Sequence, residues 1–210
     1  MTDLERMKYD AWTRQLERMR AMQYAYNRKF FTLLLVSSAA ILWALRDGSV
    51  LALSMVPIGV VTAGMTASFF LCNCDFARVH ARALEGQINR LLGSRVLIAS
   101  EMEAEYFYPH AARKLSGLVW GREWTLFNWF TLHFCVVWTA AAVWAVLRLW
   151  GMLMVAEALV LTLGFGVWAA GNVLVLHQWF GEAAGEKRME QQLKEAFGDD
   201  GARLGDVDSR

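Results

Sequence analysis

Residues 50–93 carry the feature that most constrains this chain, because an apolar stretch there continues into an amphipathic one with no strong helix breaker between them. The first half is VLALSMVPIGVVTAGMTASFFL, and the second, after Cys-Asn-Cys, is DFARVHARALEGQINRLLG. A helix over all 44 residues would be about 66 Å long, roughly twice the hydrocarbon thickness of a bilayer. We therefore expect one helix with its first half in lipid and its second half in water.

Three further apolar stretches, at 30–45, 124–150 and 152–179, predict three more membrane spans. Very short connections, at Arg46–Ser49 and around Gly151, pair the spans as two hairpins, 30–71 and 124–179. We expect residues 1–29 to form an amphipathic helix, 72–123 a helical segment, and 180–210 a helix with a disordered tail. The predicted fold class is an all-α membrane protein with four transmembrane helices and a layer of helices outside the membrane.

The positions of the basic residues predict the orientation. Of the 21 Lys and Arg residues, all but Arg46 and Arg148 lie before the first span, between spans two and three, or after span four. By the positive-inside rule, both termini and the central segment face the cytoplasm. This leaves almost no chain outside the cell for receptor or adhesion roles, and a net charge of +1 implies no attraction to nucleic acid.

An apolar stripe follows residues 2–30 at alternating spacings of three and four, which is typical of a helix that packs along another helix. Its members are Tyr9, Trp12, Leu16, Met19, Gln23, Tyr26 and Phe30. The residues between them are mostly charged or polar, and we interpret the segment as a helix that lies at the membrane interface or packs in a bundle.

Glu157 is the acidic residue that lies well inside a predicted span. An ionisable group in lipid is costly, so it is expected to face protein or water and could belong to a pore or a proton site. The favoured alternative is an ion pair with Arg148 across the same turn.

Spans three and four also contain polar residues that could line a path, namely Asn128, His133, Asn172 and His177. The two histidines differ in depth by about 13 Å, which does not suit the two axial ligands of one haem. Hydrogen bonds between helices are the favoured alternative to a polar path, and no cofactor is predicted.

Small residues recur at spacings of four in two spans. They are Gly59, Ala63 and Ala67 in the second span, and Gly166 and Ala170 in the fourth. Such positions allow helix backbones to approach closely. For the second span the pattern leaves open whether the contact lies within one subunit or between subunits.

Cys72 and Cys74 could bind a soft metal at the inner membrane surface, but a site needs three or four ligands and thiols acting as small apolar residues are the alternative. We predict no metal. The sequence also lacks a phosphate-binding loop, a dinucleotide fingerprint and the common hydrolase and kinase motifs, so no enzyme activity is predicted.

The arrangement of residues 5–93 resembles bacterial SLATT-type membrane proteins. The matching features are the stripe from Tyr9 to Phe30, the Arg46–Ser49 turn and the helix from Asp75 to Gly93. The resemblance implies an oligomeric pore-forming role, often as an effector in defence systems, in the bacterial inner membrane. The additional hairpin at Trp124–Trp179 departs from that arrangement, and no functional residue is carried over.

The leading functional hypothesis is a homo-oligomeric channel or pore for ions or small solutes in the lipid bilayer, gated or assembled through its cytoplasmic helices. The alternative is a membrane-anchored scaffold or regulator that binds a cytoplasmic protein partner.

Overall fold

A computed structural model describes residues 2–99, 102–103, 113–115, 118–120, 126–180 and 184–197. Its main helices are α1 (Asp3–Asp47), α2 (Val50–Leu92), α3 (Leu126–Trp150), α4 (Val155–Phe180) and α5 (Ala184–Phe197), and two short strands are β1 (Arg113–Leu115) and β2 (Leu118–Trp120). Helices α1 to α4 are each long and apolar enough to cross a membrane. The predicted class, a helical protein with four candidate membrane spans, is confirmed.

Helix α1 begins and ends with capping residues. The Thr2 hydroxyl accepts a hydrogen bond from the Glu5 backbone N–H at 3.3 Å, and the Glu5 carboxylate accepts one from the Thr2 N–H at 2.6 Å. The helix ends at Gly48, whose φ of +68° is readily adopted only by glycine. The segments predicted separately as an amphipathic helix and a first span form one helix, because neither Gly nor Pro occurs before Gly48.

Helix α2 confirms the predicted continuous rod. It spans 43 residues from Val50 to Leu92 and passes through Pro57. The Ser49 hydroxyl caps its first turn by accepting from the Ala52 N–H at 3.2 Å, and Gly93, with a φ of +63°, follows its last residue. One unbroken helix therefore joins an apolar part of the chain to a charged amphipathic part.

Helices α1 and α2 lie side by side and antiparallel along most of their length. Gln15 contacts His80, Gln23 contacts Cys74 and Tyr26 contacts Phe70, so positions rise on α1 as they fall on α2. The buried positions of α2 recur every three or four residues and include Val56, Ala63, Ala67, Cys74, Ala77, Ala81, Leu84 and Ile88. This heptad-like spacing is typical of the residues that form the contact, or seam, between the two helices of an antiparallel coiled coil.

In the charged half of the pair, small residues of α2 face large residues of α1. Ala81 and Leu84 have no exposed surface, and they form a cluster with Met19 against which Trp12 and Leu16 pack. The predicted stripe of α1 is thus buried on α2 rather than left for another partner.

Helix α3 packs against this pair at the level of the spans. The Trp138 indole Nε1 donates to the Ser38 hydroxyl at 3.0 Å, and the rings of Phe31 and Phe130 have centroids 5.5 Å apart. The shared core of the spans consists of Phe30, Leu34, Ile41, Ala44, Ala52, Leu53, Val56, Ala63, Ala67, Trp138, Ala145 and Leu149.

Helix α4 is the most exposed of the candidate spans. Ala158 is buried, whereas apolar side chains on the opposite side, such as Val160 and Val167, are about three-quarters exposed at 73% and 75%. Its first half is joined to α3 by a hydrogen bond from Trp150 Nε1 to the Thr162 hydroxyl, 2.9 Å long. A wide apolar surface of this kind suits contact with lipid or with another helix in lipid.

The strands β1 and β2 pair in an antiparallel ladder in which Leu115 is opposite Leu118. They lie within 72–123, the segment for which helix was expected. The intervening sequence, Ser116-Gly117, is a dipeptide typical of turns, and the sequence analysis gave it no weight. Outside the spans, α5 contributes Phe197 to the cluster formed by Met19, Ala81 and Leu84.

Candidate functional site

Glu157 lies in the first turn of α4, where its carboxylate accepts a hydrogen bond from the Met154 backbone N–H at 3.2 Å. A carboxylate there satisfies an N–H group that has no partner within the helix and interacts favourably with the helix dipole. The expected ion pair with Arg148 is not formed, and that prediction is wrong. The guanidinium of Arg148 instead lies over the Trp144 ring, 5.4 Å from its centroid.

The other predicted path residues do not form one site with Glu157. Asn172 is fifteen positions further along α4, a separation of about 22 Å along the axis, and its side-chain amide donates to the Trp168 carbonyl of its own helix at 2.7 Å. His133 is exposed on α3, with its ring edge-on to Phe134. The side chain of Asn128 lies outside the described residues.

The small residues predicted to mediate helix packing divide into two groups. Ala63 and Ala67 are buried in the core of the spans, so their contacts are made within this chain. Gly59, Gly166 and Ala170 are exposed on the surface of the described structure.

The surface of the spans carries two open apolar clefts. One of about 370 Å³ lies between α2 and α4 and is lined by Ile58, Val160, Leu161, Gly164, Phe165 and Trp168. A second of about 220 Å³ is lined by Ala142, Val143, Val146 and Leu147 of α3. Neither lining contains a charged side chain, so these clefts suit apolar groups rather than ions.

The most polar constellation among the described residues lies outside the spans, around Arg20 of α1. One guanidinium nitrogen donates to Glu85 of α2 at 2.6 Å, and the other donates to Glu103 at 2.8 Å and to the Gln23 amide oxygen at 3.1 Å. Gln23 also donates to Glu103 at 3.2 Å. We call Arg20, Gln23, Glu85 and Glu103 the Arg20 cluster.

The Arg20 cluster is largely shielded from water. The side chains of Arg20, Glu85 and Glu103 are 15%, 7% and 24% exposed, and Gln23 is buried. Burial by itself lowers the pKa of Arg20, but the hydrogen bonds and charges of Glu85 and Glu103 outweigh it and raise that pKa. The guanidinium is therefore held charged and oriented by its two carboxylates.

Sequence reasoning missed this cluster. Arg20 is one of the charged residues between the stripe positions, for which no partner was predicted, and the available signal was Gln23, a polar residue on an otherwise apolar stripe. Such a residue at a seam position needs a buried hydrogen-bond partner. Its partner Glu103 is 80 positions away in sequence, so the sequence pattern could not identify it.

Asn89 fixes the chain that leads from α2 towards Glu103. Its side-chain oxygen accepts hydrogen bonds from the Val96 and Leu97 backbone N–H groups at 3.0 and 2.8 Å. Its amide nitrogen donates to the Leu97 carbonyl at 2.7 Å. One asparagine side chain thereby binds the backbone of two residues that lie beyond the end of α2.

Cys74 is buried on the seam, where its thiol donates to the Asn27 side-chain oxygen at 3.3 Å. Burial, with a further contribution from Asp75, raises the pKa of Cys72 to about 11 and that of Cys74 to about 12. Metals bind thiolates, and within the part of the chain that the structure describes no group of three or more His, Cys, Asp or Glu residues could hold a metal ion.

These features define a helical protein with four candidate membrane spans and a buried ionic cluster outside them. Comparisons with protein-family models, curated proteins and solved structures find no match to this chain.

Proposed function

We propose that the chain is an oligomeric membrane channel or pore for ions or small solutes, assembled or gated through its helices outside the membrane. The observation that carries the proposal is the continuity of α1 and α2, which run without a break from the Arg20 cluster into the spans. Two rigid rods of this kind transmit a displacement at one end to the other. The pairing of the spans as two hairpins is part of the proposal.

The proposed orientation places both termini, the Arg20 cluster and α5 in the cytoplasm of a bacterium, with the spans in its inner membrane. The support is the distribution of basic residues, of which only Arg46 and Arg148 lie at the two turns on the other side.

The proposed pore lies between subunits rather than within one chain. The clefts between the described spans are apolar, and His133 is exposed on α3. An imidazole within a span is expected to face protein or water, and a neighbouring subunit would provide that environment. The exposed apolar face of α4 is a further surface on which subunits could pack.

The resemblance of residues 5–93 to SLATT-type proteins remains part of this proposal. The long antiparallel pair α1 and α2 supports it, whereas α3 and α4 require a larger pore unit than a single hairpin would form.

The proposal is tested by counting subunits and measuring flux on the same preparation. Native mass spectrometry of the full chain in nanodiscs should give a closed ring of four or more subunits. Proteoliposomes should release a small fluorescent or ionic tracer, and His133→Ala should change the rate or selectivity. The matched control is Trp129→Ala, an exposed residue one turn away on the same helix.

A monomer or dimer, or a ring that passes no tracer under any tested voltage, pH or calcium concentration, contradicts the pore. After either result, the second candidate function is the one to test.

The second candidate, a membrane-anchored scaffold or regulator with a cytoplasmic protein partner, is favoured by exposed apolar residues after α2. Val96, Ile98 and Met102 are 61%, 44% and 51% exposed, on a segment outside the spans. We expect a scaffold to lose its partner in pull-down when these three residues are changed to serine, while tracer release stays as in wild type. The same change at exposed Leu4 and Met7 is the control.

A further inference from the structure

Arg20 joins three parts of the chain at one point outside the spans. It belongs to α1, it donates to Glu85 in the last third of α2, and it donates to Glu103 beyond the end of α2. The Glu103 contact spans 83 positions of sequence. Within the described residues, the Glu103 carboxylate is bound by Arg20 and Gln23, both on α1.

The contacts on the two sides of Arg20 differ in burial. The Glu85 side chain is 7% exposed and the Glu103 side chain is 24% exposed. Releasing Glu85 would leave a carboxylate in a shielded site, which is strongly unfavourable. Releasing Glu103 returns a carboxylate to water while the guanidinium still faces Glu85.

We propose that the Arg20 cluster is a releasable clasp, in which Arg20 and Glu85 form the permanent part and Glu103 the part that detaches. The clasp holds the segment that follows α2 against α1. Asn89 fixes the near end of that segment through Val96 and Leu97, so detachment releases Met102 and Glu103 from α1 while Val96 and Leu97 stay bound to α2.

In the proposed channel, the clasp controls how far the helices of the spans can move. Glu103 lies on the chain between α2 and α3, and both of these helices contribute to the core of the spans. A contact that ties this connection to α1 therefore restrains how α1, α2 and α3 move relative to one another. This consequence for flux rests on the proposed function, whereas the clasp itself does not.

The test measures the distance between α1 and the clasped segment in the full chain. The three native cysteines are replaced by serine, and spin labels are attached to cysteines introduced at Tyr24 and Met102, which are 65% and 51% exposed. Pulsed electron resonance in nanodiscs should give one narrow distance distribution for the clasped protein.

Glu103→Ala should add a second, longer distance and raise the detached fraction at least about tenfold, because both hydrogen bonds from α1 are lost. Glu103→Gln should give a smaller increase, since the amide oxygen still accepts from Arg20. Arg14→Ala is the control, because Arg14 is exposed and its side chain donates to the Asp10 carbonyl of its own helix. Circular dichroism of each variant verifies that the helices are intact.

A Glu103→Ala distribution that matches wild type in a folded protein overturns the clasp. Tracer flux measured on the same variants separates the two proposals. A changed distance with unchanged flux supports the clasp and removes its role in gating, whereas a ring that never passes tracer refutes the pore and leaves the distance result standing.

Discussion

His80 of α2 is held in its neutral form by its surroundings. Its Nε2 lies 3.0 Å from the Gln15 side-chain nitrogen, an arrangement in which the amide donates and the imidazole accepts. Burial lowers the pKa of His80 below its ordinary value of 6.5. At pH values between the lowered pKa of the folded protein and the ordinary value of 6.5, the unfolded chain binds more protons at this site than the folded chain does.

We therefore expect His80 to stabilise the fold fully above pH 6.5, and to lose this contribution as the pH falls through that value towards the lowered one. Thermal unfolding in detergent, followed by circular dichroism from pH 7.5 to 5.0, should show a decrease in melting temperature that His80→Gln reduces. His177→Gln, at an exposed position, is the control and should keep the wild-type decrease. If both variants retain the wild-type decrease in melting temperature, His80 is not the titrating group.

At the scale of residues, the sequence predicted which positions of α1 are buried better than it predicted what they bind. The stripe correctly contained Met19, Gln23 and Phe30, since spacing alone places them on one face. The Arg20 cluster and the capping role of Glu157 depend on partners fixed by tertiary packing or local helix geometry. Spacing carries no information about either.

Among the helices, the seam between α1 and α2 is closed to solvent at Ala81 and Leu84. Ala81 has no exposed surface and packs beneath Met19, with Leu16 beside it. Ala81→Leu should decrease the free energy of unfolding by about 1–3 kcal/mol, because added methylene groups must displace neighbours in a packed core. Denaturant or thermal unfolding measures the change.

Ala21→Leu is the matched control for that substitution, since Ala21 is exposed on the partner helix and its change should stay within about 0.5 kcal/mol. Equal effects of the two substitutions would show that the seam is loosely packed.

The turn between α1 and α2 depends on Gly48, whose φ of +68° is costly for residues with a side chain. No atom lies within 4 Å of a Cβ placed there, so any penalty comes from the backbone. Gly48→Ala should cost about 1 kcal/mol or slightly more, and Gly48→Asn should cost less because Asn tolerates this conformation.

Gly59→Ala serves as the comparison for Gly48, because it also adds a methyl group into open space but at an ordinary helical φ. We expect no loss of melting temperature at Gly59. An equal loss at both positions would refute the backbone explanation.

At this scale the ends of the long helices could be predicted, because Gly48 and Gly93 leave a clear signal in the sequence. The continuity of α1 across its charged and apolar halves was not predicted, since a change in composition was taken as a change of element. Strands β1 and β2 were missed because three residues each are too few to establish a period of two.

For the molecule as a whole, the pattern of the chain predicts four candidate spans, but it does not determine how α4 is covered. That helix buries little against the rest of the described structure, so its surroundings depend on what lies outside this chain. The chain by itself defines the pairing of α1 with α2 but not what covers the exposed surface of the spans.

The proposed orientation of the whole molecule rests on the distribution of charge and can be measured independently of any activity. With the three native cysteines replaced by serine, single cysteines at Asp47 and Met152 should react with an impermeant maleimide on intact cells. Cysteines at Leu4 and Glu195, which are exposed outside the spans, should react only after the membrane is opened. The expected difference arises because lysines and arginines near the spans are retained on the cytoplasmic side. Labelling of Leu4 or Glu195 on intact cells would reverse the proposed orientation and place the Arg20 cluster outside the cytoplasm.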